Sequence, residues 1–192
     1  MDTPLYVASE MCHIDAMQLL IDAGANVNAM SNGGWTPLHR VLYDGHTDAI
    51  QLLIDAGADI NAKDNDGWTP LHYASSEGHT NAMRLLIEHD ANVNKENNYG
   101  WTPLHRASWW GHTNAVQLLI DVGANVNLKG NDGRTPLHHA SEMGHLAAIQ
   151  LLINAGANVN EEDDCGFTPL QHATRNRHTD AVELLKSYGA HK

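Results

Sequence analysis

The sequence contains little positive charge, little cysteine and no long apolar run, and each shortage excludes a class of protein. Among 192 residues, 11 lysines and arginines stand against 23 aspartates and glutamates, which gives a formal net charge of −12. Such a charge repels phosphate backbones and anionic lipid heads, so nucleic acid and membrane surfaces are poor partners. No apolar run is long enough to span a bilayer, and the first residues carry no basic and apolar signal segment.

Proline is scarce too, and all six prolines lie in copies of the triplet Thr-Pro-Leu. The triplets begin at positions 3, 36, 69, 102, 135 and 168, each 33 residues after the last. A period this regular is typical of stacked copies of one structural unit. We therefore expect a single array over residues 1–192. Its repeats have the approximate bounds 1–30, 31–63, 64–96, 97–129, 130–162 and 163–192.

Each repeat is predicted to fold as two short helices followed by a turn. In the second copy, Thr36 can cap a helix, Pro37 suits its first position and Gly45 can end it. A second, largely apolar helix follows and stops at Gly57. Because such a helix needs cover from its partner helix and from the next copy, these units fold only in stacks. Residues 58–67 end in Asp-Gly, which predicts a β-turn or a short hairpin.

Three copies lack a glycine where the others have one. Asp90 stands where the second helix of other copies ends in glycine, and Cys12 and Arg177 replace the glycine between the two helices. If the backbone is left-handed at these points, a residue other than glycine costs up to about 1 kcal/mol. We therefore expect the change Asp90→Gly to stabilise the protein.

The repeated motifs are Gly-x-Thr-Pro-Leu-His, then Gly-His, then Leu-Leu-Ile-x-x-Gly-Ala-Asn-Val-Asn, and together they resemble the ankyrin repeat over the whole chain. The resemblance implies an all-α solenoid of helix–turn–helix–hairpin units, whose hairpins and first helices line a concave groove. It also implies a structural role for the recurring asparagine, which bridges the hairpin by hydrogen bonds in a setting that resembles targets of asparaginyl hydroxylases. These asparagines are Asn28, Asn61, Asn94, Asn127 and Asn160.

Fourteen histidines invite a metal-binding or catalytic interpretation, but ten of them recur at two fixed positions of the repeat. We assign these ten to hydrogen bonds with loop backbone, which is the family's structural use of them. They are His39, His72, His105 and His138 in the first motif, and His13, His46, His79, His112, His145 and His178 in the second. His139 and His172 hold equal positions in adjacent repeats, about 10 Å apart. That separation is too large for a shared zinc ion, so we expect no metal and no cofactor.

The two cysteines lie in the first and last copies, too far apart for an intramolecular disulfide. We therefore expect a reducing compartment and a cytoplasmic location. Cys165 could form a nucleophile pair with His172 or His139. No oxyanion site or third orienting residue accompanies it, so a hydrolase is the weakest of three hypotheses and the expected answer is that the chain is not an enzyme.

Bulky aromatic residues occupy positions that differ from copy to copy. All five tryptophans stand just before Thr-Pro-Leu or at the end of a first helix, positions that in this family face the groove and contact the partner. One reading is that a single tryptophan was duplicated with its repeat, but no other copy has the tandem Trp109-Trp110. Tryptophan and tyrosine dominate interface hot spots. The residues that we predict to bind a partner are Trp35, Tyr43, Trp68, Glu77, Tyr99, Trp101, Trp109, Trp110, Arg134, Glu142 and Phe167.

Acidic residues alternate with these aromatics, which indicates the chemistry of a partner. Glu77 and Glu142 lie at variable positions, as do Asp44, Asp66 and Asp132. An aromatic and net negative surface should prefer a protein segment with basic and apolar side chains. The other interpretation is that the carboxylates keep a tryptophan-rich surface soluble.

The leading hypothesis is a monomeric, non-enzymatic protein-interaction module that binds a partner on its concave face. The alternative is a fragment or scaffold portion of a longer ankyrin protein with no partner of its own, since the first copy lacks its hairpin. Fold alone does not choose between these functions.

Overall fold

Each Thr-Pro-Leu triplet begins an α-helix in the computed structural model, which describes residues 2–191. This part of the chain holds twelve α-helices and no β-strand, so the expectation of an all-α repeat stack is confirmed. The first helices of the repeats are α1 (Pro4–Glu10), α3 (Pro37–Asp44), α5 (Pro70–Glu77), α7 (Pro103–Trp110), α9 (Pro136–Glu142) and α11 (Pro169–Arg175). The second helices are α2 (Ile14–Asp22), α4 (Thr47–Asp55), α6 (Thr80–Glu88), α8 (Thr113–Asp121), α10 (Leu146–Asn154) and α12 (Thr179–Ser187). Among residues 2–191, no helix has the length and apolar character needed to cross a membrane.

The threonine and the histidine of each motif cap the first helix together. In α7, the Thr102 backbone N–H donates to His105 Nδ1 at 3.0 Å, and the His105 backbone N–H donates to Thr102 Oγ1 at 3.4 Å. Because Nδ1 accepts, Nε2 carries the proton and donates to the carbonyl oxygen of Arg134 at 3.1 Å. The histidine thus caps its own helix and bonds to the turn of the next repeat, which confirms its structural assignment.

The histidine between the two helices ties neighbouring repeats in a different way. His145 Nε2 lies 3.0 Å from the carbonyl oxygen of Trp109, one repeat earlier. Its ring packs against Gly111, where a Cβ atom would come within 2.5 Å of the imidazole. Gly111 also has a left-handed φ of 71°. Glycine is required there by the backbone conformation and by the close approach of the ring.

The three exceptions to the glycine pattern adopt the conformation that the pattern predicts. Among residues 2–191, the non-glycine residues with positive φ are Cys12 at 52°, Asp90 at 63° and Arg177 at 63°. The expected left-handed backbone at these positions is therefore confirmed, and each side chain is held in a conformation that glycine adopts more easily.

The segment between repeats forms a β-turn rather than a pair of strands. In the second turn, the Asp64 N–H donates to the Trp68 carbonyl and the Gly67 N–H to the Asp64 carbonyl, both at 3.0 Å. The Asp64 carboxylate stabilises the turn by accepting from the N–H groups of Asp66 and Trp68. Of the two predicted forms, the β-turn is the correct one. The N–H groups of Asp66 and Trp68 bond to the side chain of Asp64 and are therefore not available to pair with a second strand.

The recurring asparagines link successive repeats by hydrogen bonds. Asn127 Nδ2 donates to the Gly156 carbonyl at 3.0 Å, and Asn127 Oδ1 accepts from the Asn158 N–H at 3.0 Å. Asn28, Asn61 and Asn160 make the same pair of bonds with the repeat that follows them. The asparagines thus have a hydrogen-bonding role, as expected, and the amide of Asn127 reaches Gly156, two residues beyond the end of α10 in the next repeat.

The chain divides into two compact units, unit 1 over Met1–Asn92 and unit 2 over Val93–Lys192. In unit 1, α3 packs against α1 and α5, and in unit 2, α9 packs against α7 and α11. Fully buried leucines such as Leu38 in unit 1 and Leu137 in unit 2 fill these contacts. Each such side chain stabilises the fold by about 1.5–3 kcal/mol. The single array of six repeats with the bounds given above stays a prediction.

Candidate interaction surface

The residues predicted to bind a partner fall into two groups by their exposure. Those that are exposed are Tyr43, Glu77, Tyr99, Trp110 and Phe167. Those that are half-buried are Trp35, Trp68, Trp101, Trp109, Arg134 and Glu142. The half-buried rings pack on other aromatic side chains, so their positions are fixed by the repeat itself.

In unit 1, four rings form a cluster that we call the unit 1 cluster: Trp35, His39, Tyr43 and Tyr73. The Trp35 ring lies 4.6 Å from Tyr73 and 5.8 Å from Tyr43, between ring centroids. His39 meets the edge of Tyr73 at 5.6 Å. The Tyr73 hydroxyl donates to Asp64 Oδ2 at 2.5 Å, so the polar atom of this half-buried side chain is paired with the carboxylate that also stabilises the turn.

In unit 2, the unit 2 cluster consists of Trp101, His105, Trp109 and His139. Trp101 and Trp109 lie 5.7 Å apart, and both rest on His139, at 4.3 Å and 5.3 Å between centroids. His105 meets the edge of His139 at 5.6 Å. These separations are typical of favourable aromatic pairs.

The two clusters occupy the same repeat positions, two repeats apart. Trp35 corresponds to Trp101, His39 to His105, Tyr43 to Trp109 and Tyr73 to His139. Sequence reasoning did not consider Tyr73, and it weighed His139 only as a metal ligand or a catalytic base; both residues directly follow the motif histidine. The signal was present, because that position holds Arg40, Tyr73, Arg106, His139 and His172 in successive repeats and is therefore as variable as the positions that we did examine.

The tandem tryptophans play different parts in the structure. Trp109 is half-buried in the unit 2 cluster, whereas Trp110 is 51 % exposed. The Arg106 guanidinium lies 5.9 Å from the centroid of the Trp110 ring, one helical turn before it. A cation over an indole face is attractive, so Arg106 helps to orient the exposed ring. Trp110 is thus the member of the pair that presents its surface to solvent.

Arg134 lies at the centre of a group of carboxylates in unit 2. Its Nη1 donates to Glu142 Oε2 at 2.8 Å, and its Nε lies 3.6 Å from Asp132 Oδ2 and 3.5 Å from Asp163 Oδ2. One guanidinium therefore faces three carboxylates. The side chain of Asp132 is 49 % exposed, so its carboxylate places negative charge at the surface next to Arg134.

Asp163 and His172 form a buried pair that the sequence did not indicate. Their side chains are 2 % and 4 % exposed, and His172 Nε2 lies 2.8 Å from Asp163 Oδ2. Burial works to raise the pKa of Asp163, but the N–H groups of Phe167 and Cys165 and the His172 ring outweigh it and hold the pKa below its usual range. Cys165, two residues after Asp163, is a free and exposed thiol.

Burial sets the protonation of the motif histidines. It lowers the pKa of His39, and it lowers the pKa of both His105 and His138 to about 4, although their bonds to turn carbonyls oppose the shift. These imidazoles are neutral at neutral pH, as their capping geometry requires. In residues 2–191, no three side chains of His, Cys, Asp or Glu are placed to hold a metal ion.

A family model described as ankyrin repeats (3 copies) matches the chain three times, at residues 1–64, 60–130 and 122–192. The three matches together span the whole sequence, and six helix pairs, the first helix of each preceded by the threonine of a Thr-Pro-Leu triplet, are found in residues 2–191. The resemblance seen in the motifs is confirmed, and the chain belongs to the ankyrin repeat family.

Proposed function

We propose that this chain is a protein-interaction module without enzymatic activity that binds a partner segment with basic and apolar side chains. Ankyrin repeats are generally protein-interaction modules, and the family is typically non-enzymatic. The observation that carries the proposal is the exposure of large aromatics in unit 2, where Trp110 is 51 % and Tyr99 is 52 % exposed. Exposed tryptophan and tyrosine on a rigid support are the residues that most often supply binding energy.

In unit 2, the binding surface includes Tyr99, Trp101, Trp109, Trp110 and Phe167 as its apolar part. Trp101 and Trp109 are packed on His139, so they offer ring surface at little cost in side-chain entropy. Phe167 is 37 % exposed and rests on the buried His172. The aromatic part therefore suits apolar side chains of a partner.

The polar part of the same surface is formed by Arg134 and Glu142. Arg134 is already bonded to Glu142 and faces Asp132 and Asp163. A basic side chain of a partner would find carboxylates in excess there and would compete with Arg134 for them. This charge pattern supports a partner segment that carries lysine or arginine next to apolar residues.

In unit 1, the proposed contact residues are Trp35, Tyr43, Trp68 and Glu77. Tyr43 is 44 % exposed and rests on Trp35, and Arg40 lies 5.7 Å from its ring centroid. Trp68 meets the edge of His72 at 5.3 Å. We treat these residues as a second surface, separate from that of unit 2.

One observation favours the alternative that the array is a scaffold without a partner of its own. Trp35, Trp68, Trp101 and Trp109 are all half-buried against rings of their own unit. Tryptophans in such places stabilise the repeat whether or not a partner exists. The test must therefore compare an exposed tryptophan with a packed one.

Capture of proteins from a cell lysate by the immobilised chain makes this comparison. We expect Trp110→Ala to lower the capture of a specific protein at least about 30-fold, which corresponds to a hot spot of about 2 kcal/mol, with the melting temperature unchanged. Trp109→Ala should lower both capture and melting temperature, because it removes a ring from the unit 2 cluster. Met143→Ala is the matched control, since Met143 holds the position of Trp110 in the next repeat and is 38 % exposed.

The scaffold alternative has its own signature in the same experiment. It requires that no protein be captured more strongly by the unchanged chain than by the Trp110→Ala variant. It also requires that Trp109→Ala lower the melting temperature, because the ring then serves stability alone.

A further inference from the structure

The unit 2 cluster holds a buried histidine with no hydrogen-bond partner. The His139 side chain is fully buried, and neither of its ring nitrogens is bonded to any group in residues 2–191. A buried polar group left without a partner is unfavourable, and such groups are rare in folded proteins. The arrangement therefore needs an explanation.

His139 lacks a hydrogen-bond partner because of the residue at one position of the turn that precedes its helix, α9. In unit 1, the Tyr73 hydroxyl is bonded to Asp64, and in the last repeat His172 is bonded to Asp163. At the corresponding place before His139 the chain has Gly130, which has no side chain. The carboxylate that pairs this ring position in other repeats is thus absent from the repeat that contains His139.

The indole of Trp101 lies next to the position that a side chain on residue 130 would occupy. A Cβ atom on Gly130 would come within 3.1 Å of Trp101 Cδ1 and 3.3 Å of Trp101 Nε1. Trp101 rests on His139 at 4.3 Å, and Trp109 covers it at 5.3 Å. His139 is therefore enclosed by two indoles that belong to the proposed binding surface.

The groups that face His139 do not favour a positive charge on it. They are His105 on α7, His138 on α9, His172 on α11 and Arg134 before α9, all of them neutral or cationic. The helix α10 contains no titratable residue. The remaining charged residues on the packed helices are Arg106, Glu142 and Arg175, of which Glu142 is bonded to Arg134. In the turns before α9 and α11, Asp132 and Asp163 face Arg134, and Asp163 is also bonded to His172.

We propose that His139 is an acid-sensitive switch beneath the aromatic surface of unit 2, and that its protonation releases Trp101 and Trp109 from their packed positions. A proton from solvent adds to one ring nitrogen, and the resulting imidazolium requires water or a carboxylate. Because the turn carboxylates Asp132 and Asp163 already face Arg134 and neither is bonded to His139, the ring must reach solvent, and the two indoles that cover it must move. In the folded state, burial disfavours the charged imidazolium and lowers the pKa of His139 well below its usual range.

The consequence for binding rests on the proposed function, whereas the release of the indoles does not. A partner that contacts Trp101 and Trp109 would lose this surface in acid. The release itself can be measured on the chain alone.

Nuclear magnetic resonance of the protein labelled with ¹⁵N-tryptophan provides this measurement, with each indole N–H signal assigned by a Trp→Phe variant. On lowering the pH from about 7 to about 3.5, we expect the Trp101 and Trp109 signals to shift or broaden before any other. Trp35 is the internal control, because its cluster has Tyr73 and Asp64 where the unit 2 cluster has His139 and Gly130. Equal movement of the Trp35 signal would indicate general acid unfolding and would overturn the proposal.

Two variants test whether His139 is the group that takes the proton. His139→Phe keeps a ring of similar size without a titratable group, and the Trp109 signal should then stay at its neutral-pH position over the same range. The Trp101 ring stacks on His105, so its signal still follows the titration of that histidine. The double variant Gly130→Asp with His139→Tyr copies the pair found in unit 1 and should give the same result if the phenylalanine variant does not fold. Acid-induced movement of Trp109 that persists in a folded variant would show that another group is responsible.

The switch and the proposed function fail in different ways. If the indoles move in acid but the chain captures no protein at any pH, the switch stands and the partner-binding function is wrong. If protein is captured and the indoles stay in place in acid, the switch is wrong and the function stands.

Discussion

Among residues 2–191, three residues other than glycine hold a backbone conformation that glycine adopts most easily. Of these, Asp90 offers the clearest comparison, because the glycine at the same position of the preceding repeat, Gly57, has a φ of 85°. A Cβ atom on Gly57 would have no heavy atom within 4 Å. The difference between the two residues at this position is therefore one of backbone conformation and not of packing.

We expect Asp90→Gly to raise the free energy of unfolding by up to about 1 kcal/mol. The Asn61 side chain bonds to the carbonyl oxygen of Asp90, a backbone atom that the substitution retains. Urea unfolding followed by circular dichroism measures the change. The reverse change, Gly57→Asp, is the matched control and should lower the free energy of unfolding by a similar amount. An Asp90→Gly variant no more stable than the parent would mean that the left-handed conformation carries no cost here.

The first helices of the four middle repeats, α3, α5, α7 and α9, each begin with a capping histidine, which makes their stability depend on pH. Its capping histidine accepts a backbone N–H at Nδ1, and protonation removes that acceptor. In the last repeat, Gln171 performs the same task, since its Oε1 accepts from the Thr168 N–H at 2.8 Å. The chain thus contains a titratable cap and a cap of the same geometry that does not titrate.

We expect the free energy of unfolding to fall as the pH drops from about 6.5 to about 4. Burial holds the pKa of His105 at about 4 in the folded state, whereas the unfolded chain binds the same proton near pH 6.5. Within this window the unfolded state holds more protons, so acid favours unfolding by about 1.4 kcal/mol per pH unit for each such histidine. Denaturant unfolding at pH values across the window measures the slope.

His105→Gln is the variant that isolates this effect, because it replaces the histidine with the residue found at the same position in the last repeat. It should lose about 1 kcal/mol at neutral pH, where the bond to the Arg134 carbonyl is weakened. The difference in stability between pH 7 and pH 4.5 should then be about 2 kcal/mol smaller than in the parent. An unchanged difference would show that His105 binds its proton equally well in the folded and unfolded chain.

The elements could be predicted from the sequence because their signals are local. Thr36 and Pro37 start a helix, Gly45 ends it, and all three act within a few residues of their own position. The aromatic clusters could not be predicted in the same way. His139 meets Trp101 across a repeat boundary, and its lack of a partner depends on Gly130, which no local rule connects to it. Likewise, Trp109 and Trp110 are adjacent in sequence, but the helix turns one toward His139 and the other toward solvent.

Across the whole molecule, the negative charge is concentrated in one unit. Unit 1 contains 13 acidic and 3 basic residues, for a net charge of −10, whereas unit 2 contains 10 acidic and 8 basic residues, for a net charge of −2. Repulsion among these charges works against the compact state of unit 1, and the same charges would attract a partner with the basic character proposed above. The exposed Trp110 lies in the nearly neutral unit. Under the proposed function, long-range attraction would come mainly from unit 1, and the contact through Trp110 would come from unit 2.

Salt should consequently act on stability and on binding with opposite signs. Raising the ionic strength from about 0.02 M to about 0.5 M shortens the Debye length from about 20 Å to about 4 Å. Salt then screens the repulsion among the carboxylates of unit 1, and the melting temperature should rise. The same screening should slow the association of a basic partner by about tenfold or more, while its dissociation, which depends on the aromatic contacts, should change little. Differential scanning calorimetry and surface plasmon resonance measure the two effects. A partner whose association rate does not depend on salt would show that the charge of unit 1 serves solubility alone.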